Sequence, residues 1–127
     1  MSTATITVHG PEETTELLYG LARVSLLQIR RGLIKAPLYK SGVVYQREPL
    51  GREIWQPAWE TQLRKNGDCE DLVAWRVAEL WASGESKARP HCYSPRPGLI
   101  HCVVRRANGK LEDPSKKLGM GKSVRGW

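Results

Sequence analysis

Six residues near the middle of the chain, Asn66-Gly67-Asp68-Cys69-Glu70-Asp71, constrain the fold more than any other stretch. Gly67 permits a tight turn. Asp68 is a good helix N-cap, because its carboxylate can accept from the unpaired N–H groups of a first turn. Asp71, three residues on, can answer the cap's own N–H as in a capping box. Val73, Ala74, Val77, Leu80 and Trp81 then share one helical face. Ser83-Gly84 closes it. The spacing predicts a buried helix over 69–82 with Cys69 in its first turn.

The rest of the 127 residues reads as a single domain around that helix. Thr3 to Val8 is β-prone. Gly10-Pro11-Glu12-Glu13 suits a helix start, with proline and acids in the first turn. Leu17, Leu18, Leu21, Val24 and Ile29 recur at helical spacing, and Arg30-Arg31-Gly32 is a good stop. A helix over about 11–31 is predicted. Val43-Val44-Tyr45 suits a strand, and Pro57 to Lys65 a short helix. Prolines at 90, 95 and 97 point to a loop over 85–98. Leu99 to Arg106 is predicted as a strand, Ala107-Asn108-Gly109 as a hairpin turn, and Lys110 to Asp113 as its partner. The tail from Ser115 reads as irregular.

Composition narrows the class. Hydrophobic residues at 40% and charged residues at 26% exclude a disordered or disulfide-dense chain. A chain of this length needs no metal to fold. No apolar run approaches the roughly 18 residues of a membrane span, and no secretory signal precedes Gly10. An odd set of three cysteines, Cys69, Cys92 and Cys102, favours free thiols in a reducing compartment. The net charge of +7 admits a polyanionic partner, nucleic acid above all, or simply a soluble basic surface. No zinc-finger or RNA-recognition motif accompanies it.

The chemistry-bearing residues gather around Cys69. A cysteine attacks as the thiolate, and a helix N-terminus stabilises one. A neighbouring imidazole adds positive charge and shuttles the proton. A carboxylate orients the imidazole. His101, early in the predicted strand, and Asp113, at the end of its hairpin partner, supply these parts. His91 is a rival base without a nearby carboxylate. His91-Cys92 and His101-Cys102 are poor metal chelates, because adjacent strand residues face opposite ways. No metal or cofactor is therefore expected, and Cys102 should pack on the face opposite His101. A two-residue turn at 108–109 would set Asp113 opposite residue 104, so a wider turn or a bulge near 105–109, or a strand that bends back, is expected to bring it to His101.

In this order and spacing, Gly67-Asp68-Cys69-Glu70-Asp71-Leu72, His101 and Glu112-Asp113-Pro114-Ser115 resemble the transglutaminase-like cysteine peptidase superfamily. The short single-domain form in tailed bacteriophages and prophages is the most similar. Tyr45, Glu48-Pro49, Trp55-Gln56, Arg105-Arg106, Gly109 and Leu118-Gly119-Met120 extend the likeness over about residues 43–121. The resemblance implies an α+β, papain-like fold, with the Cys69 helix packed on a small antiparallel sheet and the 11–31 helix on its flank. It implies Cys69 as nucleophile, His101 as base and acid, and Asp113 as orienter. The Cys69 backbone N–H, Gln56 and Trp59 are candidate oxyanion donors. The implied function is a phage-type cysteine peptidase acting on a protein or peptide, in the bacterial host cytoplasm or the virion. The alternative is a non-catalytic phage morphogenesis or virion protein that meets other structural proteins, or DNA, through its basic surface.

Overall fold

A computed structural model of the chain describes residues 9–48 and 54–121. The expected strand at 3–8, Pro49, and the tail past residue 121 lie outside these. The described residues form a small α+β domain of four helices and two small sheets. In chain order they are α1 (Pro11–Arg30), β1 (Val44–Tyr45), α2 (Ala58–Arg64), β2 (Asn66–Gly67), α3 (Cys69–Ala82), β3 (Arg89–Arg96), β4 (Leu99–Arg105), β5 (Leu111–Glu112) and α4 (Pro114–Lys117). A short 3-10 turn, Leu38–Lys40, precedes β1. None of these helices is long and apolar enough to cross a membrane.

The larger sheet runs β3-β4-β5 and is antiparallel. Alternate residues of β3 and β4 turn inward: Cys92, Cys102 and Val104 join Leu18, Ala22, Val73 and Val77 in one core cluster. α3 is the central element. Leu72, Val73, Ala74, Trp75, Val77 and Ala78 on it are all fully buried. Its inner face packs under the sheet and α1, and Leu72 and Trp75 reach a second cluster with Leu38, Val43 and Ala58.

Two expectations are corrected. Residues 89–96 are a strand, not a loop. Among the described residues β3 pairs only with β4, so on its other side the absent N–H of a proline removes no bond to them. The segment after Asp113 is a short helix rather than irregular chain. Pro114 opens α4, and the Asp113 side chain caps it by accepting from the Lys116 N–H.

Gly67 matters for space rather than for turn conformation. A Cβ there would sit 3.1 Å from Asp71 Cβ and 3.2 Å from both Leu72 Cδ2 and Thr61 Cγ2. The left-handed residue at this corner is Lys65, φ 65°, which ends α2. β1 and β2 pair in parallel, Val44 with Asn66 and Tyr45 with Gly67. That pairing brings Tyr45 beside the start of α3.

Candidate active site

The turn into α3 is built as the sequence implies. Asp68 is the N-cap, and Asp71 completes a capping box. The Asp71 carboxyl accepts from the Asp68 N–H at 3.1 Å and from the Gln56 N–H at 3.2 Å. Asp68 accepts from the Cys69 N–H at 2.7 Å. Cys69 thus sits at the first position of a helix whose dipole favours negative charge.

The hairpin carries the other two residues. Val104 pairs with Glu112 and Arg105 with Leu111. Arg106 donates its N–H to the Lys110 carbonyl, so the turn spans three residues rather than two. The wider turn moves Asp113 opposite residue 103, two positions from His101 and on the same face. His101 Nε2 lies 2.8 Å from Asp113 Oδ2. That leaves Nδ1 as the nitrogen available to sulfur, and both His101 and Cys69 line the same cavity. Cys69, His101 and Asp113 are therefore brought together.

The electrostatics reflect these contacts. The Asp113 hydrogen bond, then the one to Cys69, push His101 up to about 10 against the effect of burial. Burial alone would raise Asp113, but the bonds to His101 and the Lys116 N–H hold it below the usual carboxylate range. For Cys69 the largest influence is a hydrogen bond from the Cys102 thiol. Burial opposes it, His101 reinforces it, and the Cys69 thiol is drawn down to about 4. Cys102 keeps its proton, raised first by its bond to Cys69. The three cysteines are free and buried. Cys92 and Cys102 are cross-strand neighbours with sulfurs 2.6 Å apart. Cys102 is buried in the same core cluster as Cys69, whereas His101 lines the open cavity.

Sequence patterns give Glu70 no chemical role, yet its Oε2 lies 2.9 Å from Cys69 Sγ. Burial first, then the negative charge on Cys69, push it well above the ordinary carboxylate range. The Cys69 thiol donates to this carboxyl, and with the sulfur ionised a Glu70 kept protonated by its burial would return the hydrogen bond. No helical spacing rule flags a neighbour one position along. Tyr45 is the second such residue. In the sequence it is a strand residue and part of the family likeness, with no chemical role, and its approach depends on the non-local β1–β2 pairing. Burial, then the charges of Asp68 and Cys69, push its phenol upward, so it stays a donor.

These groups face an open cavity of about 650 Å³, lined among others by Tyr45, Trp55, Cys69, Glu70, Tyr93 and His101. Neither Gln56 nor Trp59 lines it. Gln56 is buried elsewhere, its amide donating to the Asn66 carbonyl and accepting from Arg64. Trp59 lies on α2 at 36% exposure, while Trp55 packs against the core. Gln56 and Trp59 thus lie away from the cavity, and the Cys69 N–H, still at the site, is taken up by Asp68.

Among the described residues one group could offer ligand atoms to a cation: those of Asp68, Cys69 and Glu70 lie within 4.8 Å of one another. Asp68 is already engaged through both oxygens, by the N–H groups of Cys69 and Glu48, and Glu70 bonds the sulfur. Compared with known protein families, curated proteins and solved structures, the chain finds no match.

Proposed function

We propose that the chain is a thiol-dependent acyl hydrolase or transferase acting on amide bonds, a cysteine peptidase of papain-like, transglutaminase-like type. The observation that carries this reading is the open cavity in which an acidic Cys69 thiol meets a His101 held by Asp113. A non-catalytic structural protein has no use for an open groove at that sulfur. Trp55 forms part of the cavity wall without filling it, Trp59 lies elsewhere, and the described part of the 115–127 tail contributes Lys116 and Met120 to the wall.

The arrangement supports a stepwise acyl transfer. The Cys69 thiolate attacks the carbonyl carbon and forms a tetrahedral oxyanion. His101, as imidazolium, gives its proton to the leaving amine as the C–N bond breaks. A thioester remains on Cys69. Water, or an amine in a transferase, then attacks it, giving its proton to His101, and the thiolate leaves. Glu70 and Cys102 donate hydrogen bonds to the sulfur in its anionic state.

The test is covalent labelling read by mass spectrometry. At pH 7, iodoacetamide should modify Cys69 well ahead of Cys92 and Cys102. The labelling rate should stay nearly flat from about pH 5 to 8, between the depressed thiol and the elevated imidazole. An ordinary thiol instead gains about tenfold per pH unit below its pKa. A rate that climbs through this window, or label spread evenly over the three cysteines, would sink the nucleophile assignment.

With the expected donors displaced or engaged, the Tyr45 hydroxyl is the donor we assign to the oxyanion. It lines the cavity and, among the described residues, makes no hydrogen bond. Removal of one such donor costs about 10²-fold or more in turnover. Tyr45→Phe should slow acylation by an activated ester to about that extent, yet leave iodoacetamide labelling unchanged, since alkylation develops no oxyanion. Equal losses in both reactions would mean that Tyr45 acts on the thiol instead.

A further inference from the structure

A second cavity, of about 480 Å³, opens beside the far end of α3. Trp81 on its wall lies twelve residues along α3 from Cys69, about 18 Å at the helical rise. The two cavities share no lining residue.

Four cations line this second cavity: Lys87, Arg89, Arg105 and Arg106. Arg106 is compensated and fixed, bonded to Glu85 at 2.7 Å and to Glu112 at 2.7 Å. The other three are not. Among the described residues, no carboxylate pairs with Lys87, Arg89 or Arg105. Arg89 and Arg105 are moreover direct cross-strand partners on β3 and β4. Like charges opposed in this way destabilise a sheet. Their field is felt two residues on, at His91. Burial, then Arg105 and Arg89, hold that imidazole below its ordinary value. The wall behind them is apolar and fixed. Tyr19 and Trp81 stack at 6.3 Å, and the Trp81 indole donates to the Ala88 carbonyl at 2.7 Å.

An uncompensated arginine pair, braced by a rigid wall, is relieved by an anion. We infer that this cleft binds the phosphodiester backbone of a nucleic-acid strand. Directly paired strand residues lie about 5 Å apart at Cα, so two guanidinium forks can converge on one phosphate. Lys87 extends the row toward a neighbouring phosphate. The phosphodiester stays ionised at every physiological pH, and the excess positive charge of the whole chain draws a polyanion toward it. This site does not depend on the acyl-transfer reading.

The experiment measures fluorescence anisotropy of a labelled single-stranded oligonucleotide, and of its duplex, titrated with the full chain between about 50 and 200 mM salt. At least one should bind at low salt and weaken steeply as salt rises. Arg89→Ser with Arg105→Ser should weaken binding at least tenfold and flatten the salt slope by about 1 to 2. Arg30→Ser with Arg31→Ser removes the same charge at the end of α1, about 16 Å along that helix from Tyr19. It should have far less effect. Thermal melting and Cys69 labelling report that both variants are folded. Absence of binding at about 50 mM salt would overturn the inference. So would equal losses in the two double variants, which would make the attraction diffuse. Displacement by polyglutamate as effective as by unlabelled oligonucleotide would assign the cleft to acidic proteins instead.

Discussion

Replacing Glu112 by alanine should cost the fold about 3–5 kcal/mol, the usual penalty for removing one partner of a buried ion pair. Its carboxylate is 7% exposed and accepts from Arg76 Nε at 2.6 Å, from Arg106 at 2.7 Å and from the Tyr39 hydroxyl. One side chain thus ties β5 to α3, to the turn after β4 and to the segment before β1. Without it, Arg76, whose side chain is 19% exposed, keeps Glu79 as its one carboxylate partner among the described residues, beside the Tyr39 ring. Chemical denaturation followed by tryptophan fluorescence measures the loss, and a change under 1 kcal/mol would show that the network is ornamental. The pH dependence has a definite sign. Burial opposes ionisation of Glu112, but its bonds to Arg76, Tyr39 and Arg106 prevail and depress it. A depressed carboxylate stabilises the fold above its unfolded pKa and ceases to do so as pH falls through its folded value. The difference between wild type and Glu112→Ala should therefore shrink in acid.

His101→Ala should slow acyl transfer at pH 7 by about 10²–10⁴-fold, the range for loss of a general acid–base. It should also tilt the flat labelling profile of Cys69. Asp113→Asn separates orientation from charge. Asparagine Oδ1 can still accept from the Lys116 N–H and cap α4. Its amide then donates to His101 Nε2, which places the remaining ring proton on Nδ1, toward the sulfur. That tautomer cannot take a proton from the thiol. Labelling near neutrality should fall while the melting temperature holds. If Asp113→Asn labels as fast as wild type, the carboxylate serves only the helix cap.

Local chemistry made the nucleophile turn legible in the sequence. A cap, its answering acid and an apolar face all lie within sixteen residues, and α3 runs over 69–82 as that pattern requires. The wider turn and shared face of His101 and Asp113 were also legible, because strand parity is a strict rule. β3 was hidden by Pro90 and Pro95, whose cost vanishes on a side that pairs with no described strand, a property only the assembled sheet defines. Glu112 entered only through the family likeness, since its partners Tyr39 and Arg76 are distant in the chain. Tyr45 and Gln56 changed places for the same reason. The parallel β1–β2 pair carries Tyr45 to the cavity, while Arg64 and Asn66 hold Gln56 away from it.

The candidate site is divided between two separately hydrogen-bonded pieces of backbone. Cys69 and Glu70 ride on the turn from β2 into α3, and His101 and Asp113 ride on the three-stranded sheet. About 30 residues of chain separate the sulfur from the imidazole. Closing a loop of that length is paid for in entropy by the whole domain, not by the contact it permits. The acidity of Cys69 is accordingly a property of the complete fold. In any chain where α3 has come away from the sheet, the same sulfur reverts to an ordinary thiol. A reagent that discriminates thiolate from thiol therefore counts native molecules, and Cys69 serves as an intrinsic gauge of how many there are.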